Sequence, residues 1–336
     1  MMNSNELVLA AISWEHVDRV PVIPLIIQHA MKISGIPHSR YSTNARSLAD
    51  AQIFSLEKYG YDGIHITTDN QVICDVFGAK IHFPYDEPPQ IERRALLDKD
   101  ISKLPKFTVN SGRTAMICEA TRYARETLNN STFIKTNIDS APFSAACSLY
   151  GEEAFFYELH DDEAFVHDLL EICSEAIIEY GKAAAGAGAH GLTMGDSSSG
   201  IISAALYEKF ALPYAQYVID NLKKTGIPVF YHVCGNTSHI LPLLVQTGAD
   251  VLEIDSMVTM SEIFPSAQNL VALEGNISTI ECLLEGTPEN VRGESLTCMI
   301  PFGLQGGLIL SAGCEVPPMT HPDNIFAMVE ASKAFI

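Results

Sequence analysis

The feature that most constrains the fold is a repeated alternation between a short apolar segment and a longer amphipathic one. The amphipathic stretches, such as residues 162–185 and 203–225, carry apolar residues at helical spacing. The short segments predict eight β-strands, at residues 20–26, 63–69, 133–139, 191–197, 229–235, 251–257, 270–277 and 308–314. Eight strand–helix alternations in 336 residues predict an α/β fold, a (β/α)8 TIM barrel rather than an open doubly wound sheet.

The spacing of these segments also predicts how the chain is organised. We expect residues 1–336 to form a single catalytic barrel domain, with a short N-terminal extension before the first strand. The long gap between the second and third strands predicts an insertion at residues 76–113. Residues 28–46, after the first strand, read as an extended loop that could cover the mouth of the barrel.

Composition excludes some classes of partner. The chain has 21 basic and 41 acidic residues, a formal net charge of −20, which argues against binding nucleic acid or an anionic membrane through bulk charge. No apolar run reaches the roughly 18 residues that a membrane span needs. We therefore expect a cytoplasmic protein without nucleic-acid or membrane partners, whose eight cysteines are reduced thiols.

A barrel places its chemistry at the carboxyl ends of its strands. Lysine and arginine are absent from the polar residues found there, so we expect an acidic, thiol-rich site without an anion clamp. The candidates are Asp69, Asn70, Asp139, Asp196, His232, Cys234, Asn236, Asp255, Asn276, Cys314 and Glu315.

Three of these candidates suggest a metal site. His232 and Cys234 stand two residues apart on one strand, so their side chains point to the same side. Cys314 ends another strand, and an imidazole with two thiolates is a preferred donor set for zinc that leaves one position open. The competing interpretation is a hydrogen-bonded core histidine with cysteines that act as small packing residues. Residue chemistry alone leaves both interpretations open.

Five further residues are candidates for catalysis or substrate binding. Asp69 and Asp196 end the second and fourth predicted strands, where a carboxylate either serves in catalysis or caps a helix or turn. Asn236, Asp255 and Asn276 occupy similar positions and are candidate substrate-binding residues.

Motifs along nearly the whole chain resemble the uroporphyrinogen decarboxylase superfamily, and more narrowly its zinc-dependent, corrinoid-linked methyltransferases. The motifs are VDRVP at 17–21, APF at 141–143, YHVCGNT at 231–237, GNI at 275–277, GTP at 286–288 and SAGCEVPP at 311–318. The resemblance places the zinc-binding H-x-C…C pattern of that branch on His232, Cys234 and Cys314. It implies an enzyme that moves a methyl group to or from the cobalt of a corrinoid.

Two absent motifs refine what the resemblance implies. The 336 residues of the sequence lack the D-x-H-x-x-G segment with which corrinoid proteins hold their cofactor, so we expect a separate corrinoid protein as partner. Residues 27–32 lack the arginines with which the decarboxylase binds its many-carboxylate substrate.

We therefore expect an O-demethylase-type enzyme that takes the methyl group from a methoxylated or methylated small molecule. Asp69, Asp196 and Asn276 would position that substrate or assist proton transfer. The alternatives are a methylcorrinoid protein:thiol (coenzyme M-like) or tetrahydrofolate methyltransferase, a decarboxylase without metal, and a barrel that only binds a partner.

Overall fold

The computed structural model describes residues 2–335 and confirms the predicted α/β barrel. Within those residues the strands are β1 (Gly63–Ile66), β2 (Lys80–His82), β3 (Gln90–Arg93), β4 (Phe133–Ser140), β5 (Gly191–Gly195), β6 (Val229–Val233), β7 (Val251–Ile254), β8 (Ala272–Ile277) and β9 (Leu308–Ala312). Seven of them pair in parallel in the order β1, β4, β5, β6, β7, β8, β9. The other two, β2 and β3, form a separate antiparallel hairpin.

The first predicted strand does not form a regular strand, which corrects one expectation. Residues 20–26 make one isolated parallel bridge, between Val22 and Leu310 of β9. The carbonyl of Val22 also accepts a hydrogen bond of 2.7 Å from the amide of Asp62, just before β1. Pro21 and Pro24 have no amide hydrogen to donate, so a regular ladder cannot form. The segment still lies between β9 and β1 and closes the barrel.

Helices follow the strands, as the alternation predicts. They are α1 (Ser4–Ile12), α2 (Gln28–Ser34), α3 (His38–Tyr41), α4 (Ala45–Tyr59), α5 (Val72–Val76), α6 (Gly112–Leu128), α7 (Pro142–Tyr150), α8 (Glu152–Asp161), α9 (Glu163–Gly186), α10 (Ala204–Leu206), α11 (Leu212–Lys223), α12 (Leu241–Val245), α13 (Met260–Ala267), α14 (Pro288–Met299) and α15 (Pro322–Ala334). No helix of residues 2–335 is long and apolar enough to cross a bilayer.

The extended loop expected at residues 28–46 is wrong, because this segment folds into α2, α3 and the start of α4. The helix α2 begins after Ile27 without a capping side chain and ends at Gly35, whose φ of 71° is left-handed. A helix without an N-cap signal leaves little trace in the sequence. The segment does reach the mouth of the barrel, where Gln28 and His38 line the pocket described below.

The segment between β1 and β4 contains the β2–β3 hairpin and a single 3-10 turn at Ile101–Lys103. This hairpin lies within residues 76–113, where the long gap between strands predicts an insertion. The division of the chain into one catalytic domain with that insertion stays a prediction.

The interior of the barrel has two layers of side chains, a lower apolar layer and an upper charged one. The lower layer is an apolar cluster of Ile23, Phe133, Phe230, Val251, Ala272 and Ile309, on which Val8 of α1 packs. Two residues further along each strand, the side chains return to the interior. Those positions carry the upper layer, His65, Lys135, His232, Glu253 and Glu274, in which the register sets Glu253 beside both His232 and Glu274.

Candidate metal centre and pocket

The barrel brings His232, Cys234 and Cys314 together at its mouth. His232 lies near the end of β6, Cys234 follows that strand, and Cys314 follows β9. One ligand atom from each residue lies within 4.8 Å of the other two, and all three side chains are half-buried. His232 Nε2 is 3.0 Å from Cys234 Sγ. The predicted strand-end positions therefore converge in space.

A backbone contact sets the orientation of the imidazole. His232 Nδ1 lies 3.1 Å from the carbonyl oxygen of Glu253 on β7, which can only accept a hydrogen bond. Nδ1 must therefore carry a proton, and Nε2 is the nitrogen that faces the two sulfurs and would bind a metal once it has lost its own proton. This is the tautomer that a metal-binding histidine uses.

Hydrogen bonds among the three side chains shift their pKa values. The hydrogen bond from Cys314 lowers the pKa of Cys234 to about 7 despite burial, and Ser197 Oγ supports the thiolate at 3.1 Å from Sγ. The same hydrogen bond raises the pKa of Cys314 above its usual value. Burial would lower the pKa of His232, but the hydrogen bond with Cys314 and the charge of Glu253 outweigh it and raise the pKa to about 8.

The donor set fits a zinc ion. One imidazole nitrogen and two sulfurs, one of them readily ionised, are ligands that zinc prefers, and three protein ligands leave a fourth position for substrate. The half-buried mouth gives that fourth position access to the pocket. Zinc binding by these three residues stays a prediction.

A pocket of about 210 Å³ adjoins the metal ligands. Its lining combines a few apolar side chains with many polar ones, and it is small compared with the roughly 300–1,000 Å³ of typical ligand sites. The lining residues are Leu25, Ile27, Gln28, His38, His65, Thr67, Thr68, Asp69, Asn70, Pro88, Asn137, Thr193, Gly195, Ser197, His232, Cys234, Glu253, Cys314 and Glu315.

Of the two predicted catalytic aspartates, the structure places Asp69 in the lining of this pocket. One carboxylate oxygen forms an ion pair with buried Arg113, and the other accepts a hydrogen bond of 2.9 Å from the amide of Gln71. Asp69 is thus within reach of a substrate, but a cation and an amide already share its charge. Its catalytic role stays a prediction.

Asp196, the second predicted catalytic residue, lies outside the lining and is 1% exposed. One carboxylate oxygen accepts hydrogen bonds from the amide and hydroxyl of Ser144, at 3.0 and 2.6 Å. The other accepts one from Tyr231 Oη at 2.6 Å. These bonds tie α7 to β6 behind the metal ligands. The placement gives no support to a catalytic role, which remains a prediction.

The three predicted substrate-binding residues also lie outside the pocket lining. Asp255 accepts hydrogen bonds from the amides of Gly235 and Met257, at 2.8 and 3.1 Å. Asn276 donates to the carbonyls of Asp255 and Val258, at 3.1 and 2.5 Å. Both side chains brace the loops that follow β6 and β7.

The third of them, Asn236, is exposed, and its side-chain oxygen accepts a hydrogen bond from the amide of Ser238. That bond closes a local turn. Direct contact of Asn236, Asp255 or Asn276 with substrate remains a prediction.

Sequence reasoning missed a charged cluster beneath the metal ligands. Lys135 is 0% exposed in its side chain, and its Nζ lies 2.6 Å from Glu274 and 2.7 Å from Glu253. Burial favours a higher pKa for Glu253, but the charges of Lys135 and His232 and the hydrogen bonds from Lys135 and Thr193 together outweigh it and lower the pKa, whereas burial raises the pKa of Glu274. Each of these residues places a charge inside a short apolar strand, and that signal could have identified them.

A second ion pair was missed because it joins distant segments. Arg113 on α6 is almost fully buried and contacts Asp69 and Asp75, and its guanidinium packs over the ring of Phe83. No pattern near Arg113 in the sequence points to this site.

Comparison with known proteins matches the chain to one family and to relatives of two named activities. Residues 3–335 match the family described as uroporphyrinogen decarboxylase. The chain is 27% identical to a methylcobamide:CoM methyltransferase of Methanosarcina acetivorans, covering 97% of this chain and 96% of that protein. It is 25% identical to the uroporphyrinogen decarboxylase of Pseudoalteromonas translucida, covering 87% and 84%.

A solved methyltransferase structure from Methanosarcina mazei shares the fold with a TM-score of 0.91 at 23% identity, covering 100% of this chain and 99% of that one. A cobalamin-independent methionine synthase from Shewanella matches less well, with a TM-score of 0.60 at 12% identity over 94% and 97% of the two chains. The chain therefore belongs to the uroporphyrinogen decarboxylase family, and its relatives include proteins named as methyltransferases.

Proposed function

We propose that the protein is a zinc-dependent methyltransferase of the O-demethylase type. It takes a methyl group from a methoxylated or otherwise methylated small molecule and passes it to the cobalt of a corrinoid carried by a separate protein. The observation that carries the proposal is the convergence of His232 Nε2, Cys234 Sγ and Cys314 Sγ within 4.8 Å at the mouth of the barrel. Relatives named methylcobamide:CoM methyltransferase support a methyl transfer to or from a corrinoid.

The chemistry follows from the donor set. Zinc held by these three residues would act as a Lewis acid on the heteroatom that carries the methyl group and stabilise the charge developing there. Two hydrogen bonds hold His232 and Cys234 in orientations that suit metal binding. The carbonyl of Glu253 keeps the proton of His232 on Nδ1, and the hydroxyl of Ser197 donates to Cys234 Sγ. Both contacts favour the ligand forms that bind a metal.

The size of the pocket supports different binding places for the small molecule and the corrinoid. A corrin macrocycle with its amide side chains is far larger than 210 Å³, whereas a small ether or thioether fits. The small molecule therefore enters the pocket, and the corrinoid approaches from outside the barrel, where the metal ligands are only half-buried. This geometry supports a separate partner that presents the corrinoid at the mouth.

The names of two kinds of relative favour the opposite direction as a second candidate. Proteins named methylcobamide:CoM methyltransferase and methylated-thiol–coenzyme M methyltransferase are 26–27% identical to this chain. In that direction a thiol in the pocket accepts the methyl group. Porphyrinogen decarboxylation is less favoured, because a substrate with many carboxylates needs cationic partners. Lysine and arginine are absent from the described lining of this pocket.

Zinc content tests the proposal first. Reduced wild-type protein should carry about one zinc per chain, and Cys314→Ser should lose most of it because two ligands bind zinc far more weakly than three. Cys118→Ala, which removes a buried thiol of α6 remote from the site, serves as the control and should retain zinc.

Methyl transfer from methoxylated compounds to reduced cob(I)alamin, and from methylcobalamin to thiols, then decides the direction. Folded, reduced wild-type protein that stays free of zinc in zinc-containing buffer would disprove the metal-dependent mechanism.

A further inference from the structure

Three buried polar side chains of the pocket lining are not among the proposed metal ligands. We call His38 of α3, His65 of β1 and Thr68 the polar wall. All three line the same pocket as the metal ligands. They are 6%, 3% and 3% exposed, so each is more than nine-tenths buried. A buried polar wall beside a metal centre is placed to bind the polar part of a substrate.

Each member of the polar wall has one atom without a hydrogen-bond partner in the described protein: His38 Nε2, His65 Nε2 and Thr68 Oγ1. The opposite sides of the two rings are occupied. His38 Nδ1 lies 3.4 Å from Ser42 Oγ, and His65 faces the backbone of Ile23, while its Nε2 lies 3.9 Å from Glu274 Oε1, beyond hydrogen-bond distance. Buried polar atoms are costly when unpaired, so three such atoms in one small pocket point to a ligand that pairs with them.

The polar wall carries no full charge near neutral pH. Burial lowers the pKa of His38, and burial together with the charge of Lys135 holds the pKa of His65 well below its usual value. A neutral imidazole and a hydroxyl can each donate or accept one hydrogen bond. The matching group on a ligand is one that both donates and accepts, such as a hydroxyl.

The rest of the lining disfavours an anion. It carries the carboxyl groups of Asp69, Glu253 and Glu315, and its described residues include neither lysine nor arginine. The guanidinium of Arg113 lies outside this lining and pairs with Asp69 and Asp75, although its Nη2 has no hydrogen-bond partner within the described residues. A sulfonate or carboxylate in this pocket would lose its hydration without gaining a cationic side chain as partner.

The apolar part of the lining is aliphatic. Leu25, Ile27 and Pro88 supply it, and the described lining has no aromatic ring apart from its imidazoles. Quaternary ammonium groups are recognised on the faces of aromatic rings. The lining therefore favours neither a methylated ammonium compound nor the stacking of an aromatic ether.

We propose that the small molecule whose methyl group is exchanged here is an uncharged aliphatic compound with a hydroxyl group, and that His38, His65 and Thr68 bind this hydroxyl. The inference rests on the proposed function, because it concerns the same pocket. It separates this chain from relatives named for coenzyme M, a thiol that carries a sulfonate.

A matched pair of thiols tests the charge preference without depending on turnover. Isothermal calorimetry of the zinc-loaded full chain compares 2-mercaptoethanol with 2-mercaptoethanesulfonate, with a phosphine as reductant. We expect the neutral thiol to bind at least about tenfold more tightly, since it keeps its polar pairing and loses no charge hydration. Equal affinities, or tighter binding of the sulfonate, would overturn the inference.

Two variants test which residues cause the preference for the neutral thiol. Thr68→Val keeps the side-chain shape and should weaken 2-mercaptoethanol about three- to tenfold, as expected for one lost hydrogen bond, with unchanged zinc content. Thr121→Val, which removes a buried hydroxyl of α6, should leave this affinity unchanged. Unchanged affinity in Thr68→Val would refute the role of the polar wall.

The second variant, Asn70→Arg, adds a cation at an exposed position of the lining and should raise the affinity for the sulfonate at least about tenfold. If the sulfonate gains nothing, charge does not control selection in this pocket.

The two proposals can fail separately. A zinc-loaded enzyme that transfers methyl groups but prefers the sulfonate would overturn this inference and leave the proposed function intact. If the protein binds no zinc, ligand-observed NMR with 2-methoxyethanol and methoxyacetate still decides whether the pocket selects the neutral compound. Preference for methoxyacetate would again overturn the inference.

Discussion

The lower and upper layers of the barrel interior occupy the same strands, two residues apart, yet they contribute differently to the protein. Phe133 and Phe230 in the lower layer are fully buried in an apolar cluster that closes the barrel. Two residues further along the same strands, Lys135 and His232 belong to the charged layer beneath the mouth. One step of strand periodicity therefore separates a layer that stabilises the fold from one that positions chemistry. The folded protein is stable only if each charge in the upper layer has a partner of opposite charge.

Removing the central cation should break the upper layer most severely. Lys135→Met leaves Glu253 and Glu274 buried together without their partner, and the free energy of unfolding should fall by about 3–5 kcal/mol. Urea denaturation near neutral pH measures this loss. Lys80→Met removes an exposed lysine paired with Glu92 and should leave stability nearly unchanged. Equal losses in the two variants would contradict the importance of pairing.

Replacing a metal ligand should affect function rather than the fold. Cys234→Ser should lower zinc affinity by more than about 100-fold, since partners that merely orient ligands already change affinity by 10–100-fold. Competition with a chromogenic chelator measures the affinity, with Cys118→Ala as the control. Zinc affinity close to that of the wild type would exclude Cys234 as a ligand.

The buried histidine of the upper layer should make stability depend on pH. The pKa of His65 is held well below 6.5 in the folded protein, so between the two values only the unfolded chain binds a proton. Stability should therefore fall as the pH drops below about 6.5, by at most about 1.4 kcal/mol per pH unit from this group. His65→Gln should flatten this part of the profile, whereas exposed His321→Gln should not. An unchanged slope in His65→Gln would contradict the assignment.

The smallest expected effect tests whether the layers are independent. Ile309→Val removes one methylene from the lower layer and should cost about 0.5–1.5 kcal/mol of unfolding free energy. Zinc affinity and thiol binding should not change, because none of the three proposed metal ligands belongs to the lower layer. Exposed Ile300→Val is the control for stability. A shift in zinc affinity would show that packing in the lower layer positions the metal ligands.

The sequence predicts the barrel and the metal ligands because both depend on local periodicity. Alternation along a strand places His232 and Cys234 on one side, and the convergence of strand ends in a barrel brings Cys314 to them. Strand position predicts that the three side chains converge, whereas their assignment as zinc ligands also depends on the resemblance to the zinc-dependent methyltransferases. The absence of lysine and arginine at the strand ends likewise agrees with the described lining of the pocket.

Side-chain partners between elements cannot be read in the same way. Asp196 ends a strand as Asp69 does, but it turns towards Ser144 and Tyr231, and only the packing of α7 against β6 decides this. The pairing of Lys135 with Glu253 and Glu274 depends on the register of strands far apart in the sequence. Residues 20–26 read as a strand, although their two prolines remove the donors that a ladder requires.

The helix α1 seals the end of the barrel opposite the metal ligands, where Val8 packs on the lower layer and the carbonyl of Ala11 accepts a hydrogen bond from Gly307 just before β9. Its outer face, which includes exposed Leu9, points away from the barrel. A tether attached at this face would fix the protein to an electrode or sensor chip with its mouth turned towards the solution. Immobilised in that orientation, every molecule on the surface would remain open to a protein as large as a corrinoid carrier.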